Sequence, residues 1–246
     1  APLRQWIAAR HGVDPGRVFL TNGSLQGFVF LAQLLAPAER VLVERPTYDR
    51  PLKILREVGA DVVGLNCDNE GLDPDALEAA LAEGDKPAFL YLIPTFQNPS
   101  GRTLSEERRR RIVELADEHD LLVLEDAPYG LVRFGGEPLP SLYELSEGRT
   151  AYSSSFSKTI APGLRVGWFV FPEALMKKIE AAATSTYITP VLLGQATVNE
   201  FVSRGLFEPN LERVKSLLGA RRDAMLEAFD RELPNVRITR PAGGYF

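Results

Sequence analysis

A run of four apolar residues that halts on two carboxylates, Leu121-Leu122-Val123-Leu124 before Glu125-Asp126, is too short for a helix and too continuous for a strand with one wet face. It reads as a strand buried on both sides, as in parallel sheets. The same form recurs along the chain. Arg17 to Leu20 ends at Thr21-Asn22-Gly23-Ser24, Val41-Leu42-Val43 closes before Pro46, Ala88 to Ile93 ends in Pro94, and Ala151 to Ser154 runs into Ser155-Phe156-Ser157-Lys158. Asp61 to Leu65 and Val166 to Phe171 read as further strands.

Longer stretches with helical character alternate with these runs: 25–35, 74–81, a segment opened by Ser105, 173–183, 192–202 and about 207–233. Asp73 precedes Pro74 as a cap before a first-position proline, and Glu106 and Glu107 suit the first turn after Ser105. Strand–helix alternation predicts an α/β fold, here a mostly parallel sheet of the seven-stranded type with helices on both faces. Residues 1–204 are expected to form one large domain, and 205–246 a bridging helix and the beginning of a smaller α+β domain. The chain starts without Met at Ala1-Pro2-Leu3-Arg4, inside an expected helix, and stops at Gly243-Gly244-Tyr245-Phe246, where a strand should begin. It is therefore expected to continue at both ends.

A net charge of −5 argues against nucleic acid as the main partner. The single cysteine, Cys67, forms no internal disulfide, and no Cys/His spacing suits a metal. No apolar run is long enough to span a bilayer, so the expected location is the cytoplasm. The run Arg108-Arg109-Arg110-Arg111 has Glu106, Glu107 and Glu114 at helical spacing and reads as a solvated, charge-paired face. His11 and His119 read as surface residues, Trp6 and Trp168 as core or interface, and Cys67 as structural.

Open α/β sheets bind ligands beyond the carboxyl ends of their strands, and residues with useful chemistry gather at those ends. Gly23-Ser24-Leu25 offers backbone N–H groups where a helix begins, a ready anion site. Ser155 and Ser157 add hydroxyls, and Pro162-Gly163-Leu164-Arg165 turns a fixed cation back toward them. Lys158 stands among hydroxyls without an adjacent charge, unlike the chain's other lysines. Condensation of an amine with a carbonyl needs such a partly desolvated lysine. Asp126 ends an apolar strand, where a carboxylate requires donors or a cation; a protonated pyridine nitrogen is one such cation.

Three segments together, Tyr91-Leu92-Ile93-Pro94-Thr95-Phe96-Gln97-Asn98-Pro99-Ser100-Gly101, Glu125-Asp126-Ala127-Pro128-Tyr129, and Ser155-Phe156-Ser157-Lys158 with Pro162-Gly163-Leu164-Arg165, resemble the fold-type I, class I/II aminotransferases. The likeness is greatest to the 2-aminoadipate aminotransferase-like subgroup and extends over nearly the whole chain. It implies pyridoxal 5′-phosphate as cofactor, transamination between an α-amino acid and a 2-oxo acid such as 2-oxoglutarate, and a homodimer. By the same resemblance Lys158 carries the cofactor as an imine and later shuttles a proton, while Asp126 pairs with the ring nitrogen. Asn98 and Tyr129 bond the ring hydroxyl oxygen, Asn98 also touches the substrate carboxylate, and Tyr48 stacks on the ring. Ser24, the N–H of Leu25, Ser155, Ser157 and Arg165 hold the phosphate. Leu25 replaces the family's usual Gln, which a backbone donor tolerates. The family's upstream Tyr and its carboxylate-binding C-terminal Arg fall outside 1–246, so this stretch alone is expected to bind substrate poorly. Two other functions fit the same motifs: the effector-sensing domain of a winged-helix regulator, and a β-lyase or decarboxylase using the same cofactor.

Overall fold

The computed structural model describes residues 2–246; Ala1, expected in the opening helix, lies outside them. The chain runs α1 (Pro2–His11), β1 (Val18–Thr21), α2 (Ser24–Leu35), β2 (Arg40–Arg45), α3 (Asp49–Glu57), β3 (Asp61–Asp68), β4 (Gly71–Leu72), α4 (Pro74–Ala82), β5 (Phe89–Leu92), α5 (Glu106–Glu118), β6 (Val123–Asp126), α6 (Leu142–Leu145), β7 (Ala151–Ser155), β8 (Gly167–Val170), α7 (Glu173–Tyr187), α8 (Leu192–Ser203) and α9 (Phe207–Glu232). The strands form one sheet in the order β1-β8-β7-β6-β5-β2-β3-β4.

The pairs from β3 through β2, β5 and β6 to β7 are parallel. β8 is antiparallel to both β7 and β1, which leaves β1 parallel to the central strands. The expected mostly parallel α/β sheet of the seven-stranded type is therefore present, with the two-residue β4 added antiparallel at one edge as an eighth strand. Because only β8 and β4 run the other way, the carboxyl ends of β1, β2, β5, β6 and β7 share one edge of the sheet.

Strand alternation divides the core. Val41, Val43, Phe89 and Tyr91 face one layer with Phe28, Leu31 and Ile179. Leu42, Leu90 and Leu92 face the opposite layer with Leu77, Ile112 and Leu115. Burial on both faces explains the continuous apolar runs. A third cluster joins α1, α8 and the start of α9 to β1 and β8 through Ile7, Leu20, Trp168, Val198 and Phe207. Capping follows the sequence: the Asp73 side chain accepts from the Asp75 amide at 3.1 Å, and Ser105 accepts from the Arg108 amide at 3.4 Å.

Two expectations are corrected. Arg109 does not belong to a solvated face; it is 1% exposed. Its guanidinium donates to the carbonyls of Leu104, Pro140 and Pro94 at 3.0, 3.0 and 2.9 Å, and to the Thr95 hydroxyl at 2.7 Å. Arg110 and Arg111 do lie on the paired outer face, with Glu106 and with Glu78 and Glu114 respectively. His11 is not a surface residue either. Its Nε2 accepts from Trp168 Nε1 at 3.2 Å, and its ring lies 4.6 Å from that of Tyr152. Burial lowers its pKa to about 4, so the imidazole is neutral at ordinary pH.

Candidate active site

The shared edge of the sheet brings the polar strand ends together in one cavity of about 300 Å³. Ser24 and Leu25 reach it from the turn after β1, Tyr48 from the loop after β2, and Asn98 from the loop after β5. Asp126 and Tyr129 come from the end of β6, and Ser155, Ser157 and Lys158 from the end of β7. Arg165 enters from the segment leading into β8. Every residue singled out for this chemistry in the sequence lines this cavity.

At its floor, Asp126 is held by two hydroxyls. Tyr91 Oη donates to its Oδ2 at 2.9 Å and Ser153 Oγ to its Oδ1 at 3.2 Å. Burial pushes its pKa up to about 6 despite both bonds. No cationic side chain contributes to that balance, so the carboxylate still favours a positive charge placed over it. The Tyr91 hydroxyl is pushed well above its usual range by burial and then by the Asp126 charge, which fixes it as a proton donor.

The opposite end is built of donors. α2 starts without a side-chain cap, so the first-turn amides of Ser24 and Leu25 lack an intrahelical acceptor. Arg165, whose backbone is left-handed at φ 50°, directs Nη1 onto Ser157 Oγ at 3.3 Å and the Pro162 carbonyl at 3.2 Å. Ser155 Oγ donates to Ser157 Oγ at 2.8 Å. The close approach depends on two glycines. A Cβ on Gly23 would lie 2.1 Å from Arg165 Nη2, and one on Gly167 would lie 2.3 Å from the Ser24 nitrogen. Amides, hydroxyls and a guanidinium around one hollow form an anion cradle.

Between the two ends stands Lys158, half-buried, with Nζ 5.9 Å from the Tyr129 ring centroid and 5.5 Å from that of Tyr245. Tyr245 Oη also donates to the Lys158 carbonyl at 2.8 Å. The Tyr129 hydroxyl is raised above its normal range, chiefly by burial and then by the Asp126 charge, with a hydrogen bond to Asn98 acting against both. A primary amine, a buried carboxylate and an anion cradle thus line one hollow, an arrangement suited to a ligand with a carbonyl, a basic ring nitrogen and a phosphate.

Tyr91, Ser153 and Tyr245 are site residues that sequence reasoning did not single out. Ser153 stands two strand positions from Ser155 and opposite Asp126 on the neighbouring strand, and alternation along β7 is the signal that could have found it.

Residues 1–246 match the family model described as aminotransferase class I and II. A 2-aminoadipate transaminase from Thermus thermophilus is 40% identical over 100% of this chain and 63% of its own length. Aromatic-amino-acid aminotransferase 1 of Thermococcus litoralis is 34% identical over 99% of this chain and 61% of its own. The crystal structure of an alpha-aminoadipate aminotransferase from Thermus thermophilus, complexed with N-(5′-phosphopyridoxyl)-L-leucine, superposes with a TM-score of 0.93 at 39% identity, covering 99% of this chain and 64% of that one. The chain therefore spans less than two thirds of the length of these relatives.

Proposed function

Because the chain belongs to the class I and II aminotransferase family, we propose that the protein carrying it moves an amino group from an α-amino acid to a 2-oxo acid, with pyridoxal phosphate bound through Lys158. The observation that carries this reading is the cavity in which Lys158 stands between the Asp126 carboxylate and the Ser155–Ser157–Arg165 cradle. The residues fit that cofactor: the cradle answers its phosphate, and the raised Asp126 carboxyl answers a protonated ring nitrogen.

When bound, the cofactor supplies a conjugated electron sink for the bond broken at the amino acid's Cα. The protein's residues do the rest. Lys158 Nζ would hold the cofactor through its aldehyde carbon and, as a free amine, would carry the proton between the substrate Cα and that same carbon. Asp126 keeps the ring nitrogen protonated, and Tyr91 and Ser153 orient its oxygens. Asn98 and Tyr129 hydrogen-bond the phenolic oxygen, and Asn98 also meets the substrate carboxylate. Tyr48 covers the ring face. Ser24, the Leu25 amide, Ser155, Ser157 and Arg165 bind the phosphate.

Relatives described as 2-aminoadipate and aromatic-amino-acid aminotransferases, and the leucine adduct bound by the aminoadipate enzyme, support a broad donor class; the acceptor in this proposal is a 2-oxo acid such as 2-oxoglutarate. They favour transamination over the regulator and lyase readings. The proposal extends to a cytoplasmic homodimer. For the dimer, support comes from exposed Ile188, Val191, Leu192 and Leu193, a patch tied to the site by the Val191 amide donating to Asn22 Oδ1 at 2.8 Å. It extends also to a second domain beginning in 205–246, supported by the exposed Leu217, Met225, Leu233 and Val236 on and after α9.

Borohydride reduction of the cofactor-loaded protein should fix the cofactor to the peptide containing Lys158. Lys158→Ala should abolish both that adduct and turnover across a panel of amino donors with 2-oxoglutarate. Full transamination by Lys158→Ala would refute the assignment.

A further inference from the structure

The two loops that present Tyr48 and Asn98 arise from different strands, β2 and β5, and are joined behind the cavity by a buried polar bridge. Glu44, 2% exposed near the end of β2, accepts the Ile93 amide at 2.8 Å, just beyond the end of β5. Gln97, 3% exposed, is the next link. Its Nε2 donates to the Pro46 carbonyl at 2.8 Å and approaches Glu44 Oε2 at 3.5 Å. Its Oε1 accepts both the amide and the hydroxyl of Ser100, at 2.9 and 2.7 Å. One side-chain amide thus fastens the loop before Tyr48 to the loop containing Asn98.

Nothing else polar on the Tyr48 side replaces that tie among the described residues. Tyr48 stands at the start of α3 without a side-chain cap bond, and the Thr47 hydroxyl is buried with no hydrogen-bond partner. On the other side, Asn98 follows Gln97 directly, so rotation of the Gln97 backbone moves Asn98 with it. That backbone is pinned too: the Gln97 amide donates to the Arg102 carbonyl at 2.8 Å, and the Gln97 carbonyl accepts from Gly101 at 2.6 Å. A fully hydrogen-bonded buried network has one low-energy arrangement, and removing its central amide leaves several buried groups unpaired.

We propose that Gln97, braced by Glu44 and Ser100, is a positioning residue that sets Asn98 and Tyr48 jointly against the cofactor ring; this rests on the reading of the cavity given under Proposed function. Gln97 does not line the cavity itself. Its action passes through the hydrogen bond from Asn98 to the phenolic oxygen, which lowers the proton affinity of the lysine–cofactor linkage by withdrawing negative charge from beside it.

The test is a pH titration of the visible absorbance band of the cofactor-loaded whole protein, run on wild type, Asn98→Ala, Gln97→Leu and the double variant. Asn98→Ala should raise the titration midpoint. Gln97→Leu should raise it in the same direction by at least half as much, with the double variant no higher than Asn98→Ala alone. Ser100→Ala, which keeps the Gln97 amide but loosens it, should give a smaller shift of the same sign, and it serves if Gln97→Leu fails to fold. A Gln97→Leu protein that melts earlier but titrates with wild type, while Asn98→Ala shifts, overturns this inference and leaves the cofactor site standing. In that fallback, an unmoved Ser100→Ala midpoint counts against it equally. If Asn98→Ala leaves the midpoint in place, the role of Asn98 falls and this inference with it.

Discussion

Asp126→Asn separates what the site's carboxylate costs the fold from what it does for the ligand. Burial raises the Asp126 pKa from 3.8 to about 6. Two pH units at 1.36 kcal/mol each amount to about 3 kcal/mol. The side chain opens into the cavity, where solvent screens it, so on the order of 2 kcal/mol is expected for the cofactor-free protein. The sign follows from proton linkage. The folded protein holds this proton more tightly than the unfolded chain, so the stabilisation is complete below pH 3.8 and is lost as pH rises through about 6. Asparagine has no such limb, and its amide still pairs with the hydroxyls of Tyr91 and Ser153. Without cofactor, Asp126→Asn should therefore be the more stable protein by about 2 kcal/mol near neutral pH, and the gap should narrow in acid. Glu44 and Glu125, raised by burial to about 8 and about 7, titrate in both proteins and cancel in the difference. Urea unfolding followed by circular dichroism, with and without pyridoxal phosphate, measures both halves. Loading should stabilise wild type more than the variant, because only the carboxylate meets a charged ring nitrogen. A variant less stable than wild type at neutral pH without cofactor, or equally stabilised by it, would refute the argument.

Two further substitutions test other parts of the structure. Gly23→Ala must place a methyl 2.1 Å from Arg165 Nη2 at a φ of +86°, so the guanidinium has to leave the cradle. Cofactor affinity by fluorescence titration should fall at least about tenfold, roughly 1.4 kcal/mol, and an unchanged Kd would exclude the cradle. Arg109→Leu strands the carbonyls of Leu104, Pro140 and Pro94. It should cost about 3–5 kcal/mol in urea unfolding, against about 0.5 kcal/mol or less for Arg110→Leu on the wet face. Equal losses would contradict the burial of Arg109.

The strands were legible because burial on both faces leaves unbroken apolar runs, and the site was legible because its polar residues interrupt those runs at their ends. Reasoning from charge alone failed at Arg109. A basic quartet looks uniformly wet, yet Arg109 shares a helical stripe with Ile112 and Val113, both buried. That stripe was the available signal. Tyr91 gave none by hydrophobicity, since a buried tyrosine and a phenylalanine look alike until a carboxylate is found beside the hydroxyl. β6 extends through Glu125 and Asp126 rather than stopping before them, because each carboxyl is satisfied locally. α3 went unmarked in the sequence because its apolar residues are few among charges, and only Pro51 and Leu55 are buried. Nor does the amide bridge at Gln97 have a local pattern, since Glu44 and Pro46 stand 53 and 51 residues away and meet it only when β2 and β5 pair.

The paired acids at the end of β6 point to opposite sides of the sheet: Asp126 toward Tyr91 and Ser153, Glu125 toward the Tyr143 amide, which it accepts at 3.0 Å. Period-two geometry means that gaining one residue earlier in this strand would carry Glu125 into the place of Asp126 and turn Asp126 to the other face. The hollow would then still contain an acid, but one a methylene longer, overshooting the distance its hydroxyl partners are spaced to meet. Natural or engineered insertions here would therefore spare the site's charge and damage its reach, a defect that adding negative residues nearby would not repair.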